Sequence, residues 1–579
     1  MASFISRSYI LLGLPLSWWT RSVQETVPEP YLDEVFHIPQ AQKYCNNDFA
    51  AWDPKITTPP GLYMVTYFLK PIFGCDVAGI RATNLVCIIA LTWLLERIFT
   101  HRMGNRQDEQ NGSWLSSHCA LNVALLPPLF FFSGLYYTDV ASTLSVMLCF
   151  YSLICSDESA VKQIWWHLRL FTLGLVSLLF RQTNIFWVAI FPAAAVFLRE
   201  LDQGHELIKD SMYNRSKGFG DTLTNVAKTS WKMDILYDPP VRDASMEDYF
   251  KAAISIAACT VKVITQPKRL LSIMGILKPF IGLLIAFIAF VVINGSVVLG
   301  DKSNHVPAIH TPQILYLWPF LVFFSWPFAY QHLIRVPLTL IARLPIISHL
   351  EHFLLFRRRN LLPRVLVLCF FVLFALIAVR FNTIVHPFTL ADNRHYVFYV
   401  FRIMRANWWI RYAAAPAYIA CAWLSIQALG SAPQSRTKPS GPTNPTPPRE
   451  MDAKTASRGA PRRLLPLPDT TQSANTSFLF IWLMTTTLTL VTAPLVEPRY
   501  FILPWIFFRL HLPLSHPTQL QGNTRLATSW KMKLWDQHDK RLWLETAWFL
   551  GVNAVTMWGF LNRGFEWEQE PGRVQRFLW

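Results

Sequence analysis

Charge is what this chain has least of. Only 15% of its 579 residues are Asp, Glu, Lys or Arg, against about 25% in a soluble domain, and 52% are hydrophobic. That balance excludes an ordinary water-soluble globule. The nine cysteines include no CxxC and no metal-like spacing. Most, such as Cys87, Cys149, Cys369 and Cys421, lie in apolar runs and read as inert. Cys45 and Cys75 have the option of pairing if their loop faces an oxidising lumen. No soluble catalytic domain and no internal repeat is visible. The net charge of +17 comes with no nucleic-acid-binding motif, so nucleic acid is excluded as a partner. In a membrane protein such an excess reflects Lys and Arg kept on the cytosolic side.

Long apolar runs are what the chain does have. Pro279–Leu299 holds 21 residues without a charge, and about 20 apolar residues cross a bilayer core. Spans are predicted near 5–19, 82–99, 121–136, 140–155, 168–180, 184–198, 279–299, 314–334, 365–379, 412–429, 478–494, 501–512 and 546–561. The fold class is therefore an all-α polytopic membrane protein with roughly 11–14 transmembrane helices. ISRSYILLGLPLSWWTR lacks a small-x-small cleavage site and ends in an interfacial Trp18-Trp19, so it reads as a signal-anchor helix that stays attached. The predicted organisation is a transmembrane core over 1–429, a low-complexity linker over 430–476 too polar to fold, and C-terminal transmembrane helices over 477–579.

Alternation of the spans, with the N-terminus in the cytosol, sends the basic stretches His101–Arg106, Arg199–Lys278, Arg335–Arg364 and Arg436–Arg463 to that side. It sends the loops 20–81, 294–313, 381–409 and 493–500 to the other, lumenal face. Those four loops carry the polar motifs. The first offers Asp33 and Glu34, either able to act as a general base at the membrane surface. Adjacent helical residues face different ways, so one is expected to be catalytic and the other supporting. His37 shares a face with Asp33 if the segment is helical. A carboxylate–His pair at this spacing also suits zinc, but no third ligand is near and no metal is expected. Residues 62–73, LYMVTYFLKPIF, are too short to span and read as an interfacial helix. The second loop offers Lys302, His305 and His310 as cations or donors for a phosphate. The third places Arg394 and His395 beside Asp392, and the fourth sets Glu497 and Arg499 between hydrophobic runs, a costly arrangement unless paired or functional.

Four passages together, YLDEVFHIPQAQKYC…WDPKITTPPGLY, GDKSNHVPAIHTPQ, HPFTLADNRHYVFYVFR and LVEPRYFILPW, resemble the endoplasmic-reticulum α-1,2-glucosyltransferases of asparagine-linked glycosylation. The resemblance runs from about residue 25 to residue 512 and skips 200–277 and 430–476. It implies a GT-C-type bundle in the endoplasmic reticulum membrane with a lumenal site. The implied partners are dolichyl-phosphate-glucose, the dolichol-linked oligosaccharide and membrane lipid. The reaction would invert a β-linked donor to an α-linked product. By analogy with GT-C enzymes Asp33 is the expected base, Glu34 second. His37, Lys302, His305, His310, Arg394, His395, Glu497 and Arg499 are the expected donor-binding set. A lipid monophosphate leaves as an anion that side-chain cations can hold, so neither cofactor nor metal is expected. A GT-C mannosyltransferase is the nearest alternative, since glucose and mannose differ at one hydroxyl. A transporter or channel-regulatory protein is the other, although the ionisable motifs cluster at one face and not at the midplane.

Overall fold

The computed structural model describes residues 7–103, 109–155, 160–202, 218–302, 308–341, 363–431, 473–493, 495–514, 539–568 and 570–579. Among them every element is helical except one antiparallel hairpin near the C-terminus, Phe565–Trp567 with Glu570–Gln575. Five helices are long and apolar enough to cross a bilayer: Val77–Met103, Gln182–Leu201, Pro267–Asn294, Val365–Asn382 and Ile410–Leu429. Thr138–Ile154, Ile164–Leu178, Pro312–Phe324 and Thr476–Val491 are apolar and shorter. The chain is thus an all-α polytopic membrane protein. Of the predicted linker, 432–472 lie outside the described residues.

Proline explains where predicted spans and observed helices part. The run over 121–136 is no single helix: Glu109–Ala124 ends, and Pro127-Pro128 open the short helix Pro127–Phe132, a position where the missing N–H is no loss. The run over 314–334 divides at Ser325 into Pro312–Phe324 and Trp326–Ile341. Pro327 cannot donate to the carbonyl four residues back, and that carbonyl, Phe323 O, accepts instead from Trp548 Nε1 at 2.8 Å. Gly61–Phe73 forms as a separate short helix with Phe68 and Ile72, one turn apart, both over 70% exposed.

The core is buried aromatic and aliphatic packing around Pro127–Phe132 and Ile502–His511, whose side chains are almost all inaccessible. The N-terminal helix Arg7–Thr26 packs Trp19 into it, the indole donating to Phe131 O at 3.0 Å. A Cβ on Gly134 would sit 2.5 Å from that indole nitrogen, so a side chain there would have to displace the Trp19 ring. Within the helices, Arg509 and Glu545 form a fully buried pair at 2.7 Å, and Asn122 adds a bond to Glu545 at 2.8 Å. Three helices are fixed together by charges that lipid would not tolerate singly.

The polar loops are stitched into one assembly. Asp301 N donates to Pro54 O at 2.7 Å and Leu299 N to Thr57 O at 3.2 Å. Gly300, at φ +61°, has Pro54 O only 2.3 Å from where a Cβ would lie. Gln313 Nε2 donates to Leu495 O at 2.6 Å. The last residues close the ring: Leu578 N donates to Arg394 O at 3.0 Å, and Tyr31 Oη donates to Arg576 O at 2.7 Å.

Candidate active site

These loops surround a cavity of about 1590 Å³. The first loop turns into it at Leu32, which holds the left-handed value φ +54°, costly for a branched side chain. Asp33 follows at the N-cap of helix Glu34–Cys45, yet its side chain makes no capping bond. The carboxylate is left free of the helix, lines the cavity and is 40% exposed to it. Glu34, one residue on, points elsewhere and does not line the cavity. It is fully buried and accepts four bonds: Arg81 Nε at 2.9 Å, Arg81 Nη2 at 2.5 Å, Tyr31 N at 3.0 Å and Tyr136 N at 2.6 Å. That saturates a carboxylate. Its surroundings are those of a structural clamp between the first loop and helix Val77–Met103, and of the two adjacent carboxylates only Asp33 has a lone pair open to the cavity.

Arg499 is the hub of the site. It donates to Glu497 at 2.7 Å and lies 3.3 Å from Asp33 and 3.7 Å from Asp139. Its guanidinium sits over the rings of Phe132 and Tyr137, 5.4 and 5.3 Å from their centroids, which fixes its plane by cation–π contact. A second cation, Arg181, lies 2.9 Å from Asp139 and donates to Thr138 Oγ1 at 3.1 Å. Asp139 is 1% exposed and held by charge, since neither of its oxygens meets hydrogen-bond alignment. Burial raises the Asp33 carboxyl, but Arg499, followed by His37 and His395, more than offsets it and holds Asp33 below the usual carboxylate range. Burial pushes His37 down, and its Nδ1 meets Tyr63 Oη at 2.5 Å, so it stands neutral near pH 7.

The third loop adds Asp392, Arg394 and His395. Arg394 donates to Asp392 through Nε and Nη2, both at 2.8 Å, and to Gln575 Oε1 at 2.8 Å. It also lies 4.5 Å from the Trp567 ring centroid. Burial opposes ionisation of Asp392, but the bonds from Arg394 outweigh it and depress that carboxyl.

Of the residues singled out in the sequence, Asp33, His37, Arg394, His395, Glu497 and Arg499 come together on this cavity wall. Lys302 does not line it and donates to Asn294 O at the end of helix Pro267–Asn294. His310 is buried away from it, its backbone N–H on Val491 O and its ring edge-on to Tyr316. His305 lies outside the described residues. Sequence reasoning missed Asp139 and Arg181. Both fall in the short gaps between predicted spans, 136–140 and 180–184, and alternation puts those gaps on the face of the other loops. That signal was present and unused. Among the described residues no trio of His, Cys, Asp and Glu is arranged to hold a metal ion.

The profile of the DIE2/ALG10 family matches residues 27–510. The chain belongs to the DIE2/ALG10 family. It is 40% identical to a protein of Emericella nidulans over 98% of this chain and 97% of that one. It is 37% identical to one of Aspergillus fumigatus over 99% and 97%, and 29% identical to a human protein over 99% and 98%. Each of these DIE2/ALG10 relatives is named Dol-P-Glc:Glc(2)Man(9)GlcNAc(2)-PP-Dol alpha-1,2-glucosyltransferase. No solved structure gives a significant match. The family match covers every loop that supplies the Asp33–Arg499 cluster and stops short of the hairpin that Arg394 leans on.

Proposed function

We propose that this chain transfers glucose from dolichyl-phosphate-glucose to the diglucosylated dolichol-linked oligosaccharide in α-1,2 linkage, the closing step of lipid-linked oligosaccharide assembly. The observation that carries the reading is an accessible carboxylate, Asp33, set 3.3 Å from a buried arginine on one cavity, in a chain whose near-full-length relatives bear that activity in their names.

The chemistry follows from the groups present. An acceptor hydroxyl beside Asp33 gives its proton to the carboxylate as its oxygen bonds to the anomeric carbon. The bond from that carbon to the phosphate oxygen breaks on the opposite side, and its electron pair departs with dolichyl phosphate. In-line attack converts a β-linked donor into an α-linked product. Arg499 and Arg181 stand where the departing phosphate gathers charge, in a site where fixed cations act strongly. Arg499 has a second role. While it faces Asp33 it keeps that carboxylate a weak base, and a donor phosphate drawing on the same guanidinium frees Asp33 to take a proton. Donor binding thereby readies the base.

We place the site on the lumenal face of the endoplasmic reticulum membrane. Two features support this: the alternation of basic loops, and the Cys45–Cys75 disulfide within the first loop, a bond that persists in oxidising compartments. The cavity flanked by lipid-facing helices fits the GT-C architecture implied by the resemblance.

The test is complementation of cells that lack the last glucosylation step, with the lipid-linked oligosaccharide read by mass spectrometry. The wild-type chain is expected to add one hexose and Asp33→Asn none. A correctly inserted wild-type chain that adds no hexose would sink the reading.

A further inference from the structure

The C-terminal hairpin lies beyond the stretch that the family profile matches, 27–510, yet it builds part of the cavity wall with Trp567, Glu570, Arg573 and Gln575. It is firmly seated. Trp567 Nε1 donates to Asn393 Oδ1 at 2.8 Å, and buried Gln575 accepts from Arg394 and donates to Glu570 at 2.9 Å. Arg576 N donates to Tyr31 Oη at 2.7 Å, while its guanidinium caps the preceding helix through Phe560 O and Leu561 O at 2.7 and 2.8 Å.

The walls differ in chemistry. Phe287, Val297 and Val298, from the lipid-facing helix Pro267–Asn294 and the loop after it, give one stretch an apolar surface suited to a polyprenyl chain. The hairpin offers Glu, Gln, Arg and Trp, groups that bind a ligand made of hydroxyls. Arginines elsewhere on the wall are already engaged: Arg181 by Asp139, Arg394 by Asp392, Arg499 by Glu497 and Arg576 by carbonyls. Arg573, beside the left-handed Gly572 at φ +81°, is exposed and has no ion-pair or hydrogen-bond partner among the described residues.

The geometry points to the hairpin as the surface that receives the acceptor oligosaccharide, with Arg573 donating to its sugar hydroxyls and Gln575 locking the hairpin to Arg394. This rests on the glucosyltransferase reading above. The measurement is steady-state kinetics of the full-length enzyme with dolichyl-phosphate-glucose and the diglucosylated lipid-linked oligosaccharide, each varied in turn. Losing hydrogen bonds from a charged donor is expected to raise the acceptor KM of Arg573→Ala on the order of tenfold. The donor KM and kcat stay within about twofold of wild type, and Arg573→Lys recovers part of the loss. Because Arg573 holds nothing in place, the variant keeps the fold. An unchanged acceptor KM, or a rise in the donor KM instead, overturns the assignment. A wild-type enzyme that transfers no glucose removes the reading beneath it, an outcome the same experiment separates from the first two.

Discussion

Two neighbouring carboxylates show how little separates a cavity-lining acid from a structural one. Asp33 and Glu34 are equivalent in the sequence, and nothing in their spacing ranks them. Leu32 in the left-handed region and the start of a helix at Glu34 turn one side chain to the cavity and the other to Arg81. Their substitutions should therefore fail in opposite ways. Asp33→Asn is expected to lose 10²–10⁴-fold or so in turnover with its melting temperature in detergent unchanged. Glu34→Gln leaves Arg81 a buried, half-paired cation, costing on the order of 3–5 kcal/mol, so its melting temperature falls while the protein still folded retains turnover. The reverse pattern would exchange their roles. Arg499 makes a second prediction at this scale. A base works when ionised, and Asp33 is held below the ordinary Asp value of about 3.9, so the acid limb of kcat/KM lies below that pH. Arg499→Gln removes the largest influence opposing the burial that raises Asp33 and leaves only His37 and His395 against it, so the residual activity should show its acid limb shifted to higher pH. A limb that stays put would remove Asp33 from the base role.

The helix Glu34–Cys45 is too short to hold its own orientation, and isolated helices of this length are marginal in water. Its far end is tied by Cys45 to Cys75, just before helix Val77–Met103, while its near end is clamped by Glu34 to Arg81 of that same helix. Helix and carboxylate are thus pinned at both ends to one transmembrane segment. Cys75→Ser is expected to lose about 3 kcal/mol, measured as a drop in denaturation midpoint that the reductant-treated wild type reproduces. Equal midpoints in oxidised and reduced enzyme would count against the pinning. Elements are also where the sequence was most and least informative. Hydrophobic run length found the long helices because lipid imposes it on every residue of a span. It could not find Asp139 and Arg181, which sit at the ends of apolar runs, where a hydropathy window averages one charge into its neighbours. Nor could it place Pro127 and Pro327 as helix starts within continuous apolar runs, since composition there does not change.

At the scale of the whole molecule, four loops far apart in sequence meet at one cavity, and the alternation of spans already sorts them to one face. Asp33, Arg394, His395, Glu497 and Arg499 were legible for that reason. Lys302 and His310 carry suitable groups on the same loops and face away, a matter of side-chain direction that no loop assignment contains. The hairpin was invisible, since its partners lie hundreds of residues upstream. The sidedness has a direct check. Protease added to sealed microsomes is expected to cut within 430–476 and to spare the first loop until detergent is added. Cleavage of the first loop in intact vesicles would invert the topology.

Tyr31 and Arg576 stand 545 positions apart and share two hydrogen bonds. During synthesis the first loop is in place long before the chain that completes its surroundings exists. Helix Lys540–Asn562 must form before its end carbonyls can receive Arg576. The site is therefore complete only once residues 565–576 have been synthesised. A premature stop just after Asn562 would keep the sequence of every described helix and leave a pocket lacking the wall that Arg394 is built to lean on.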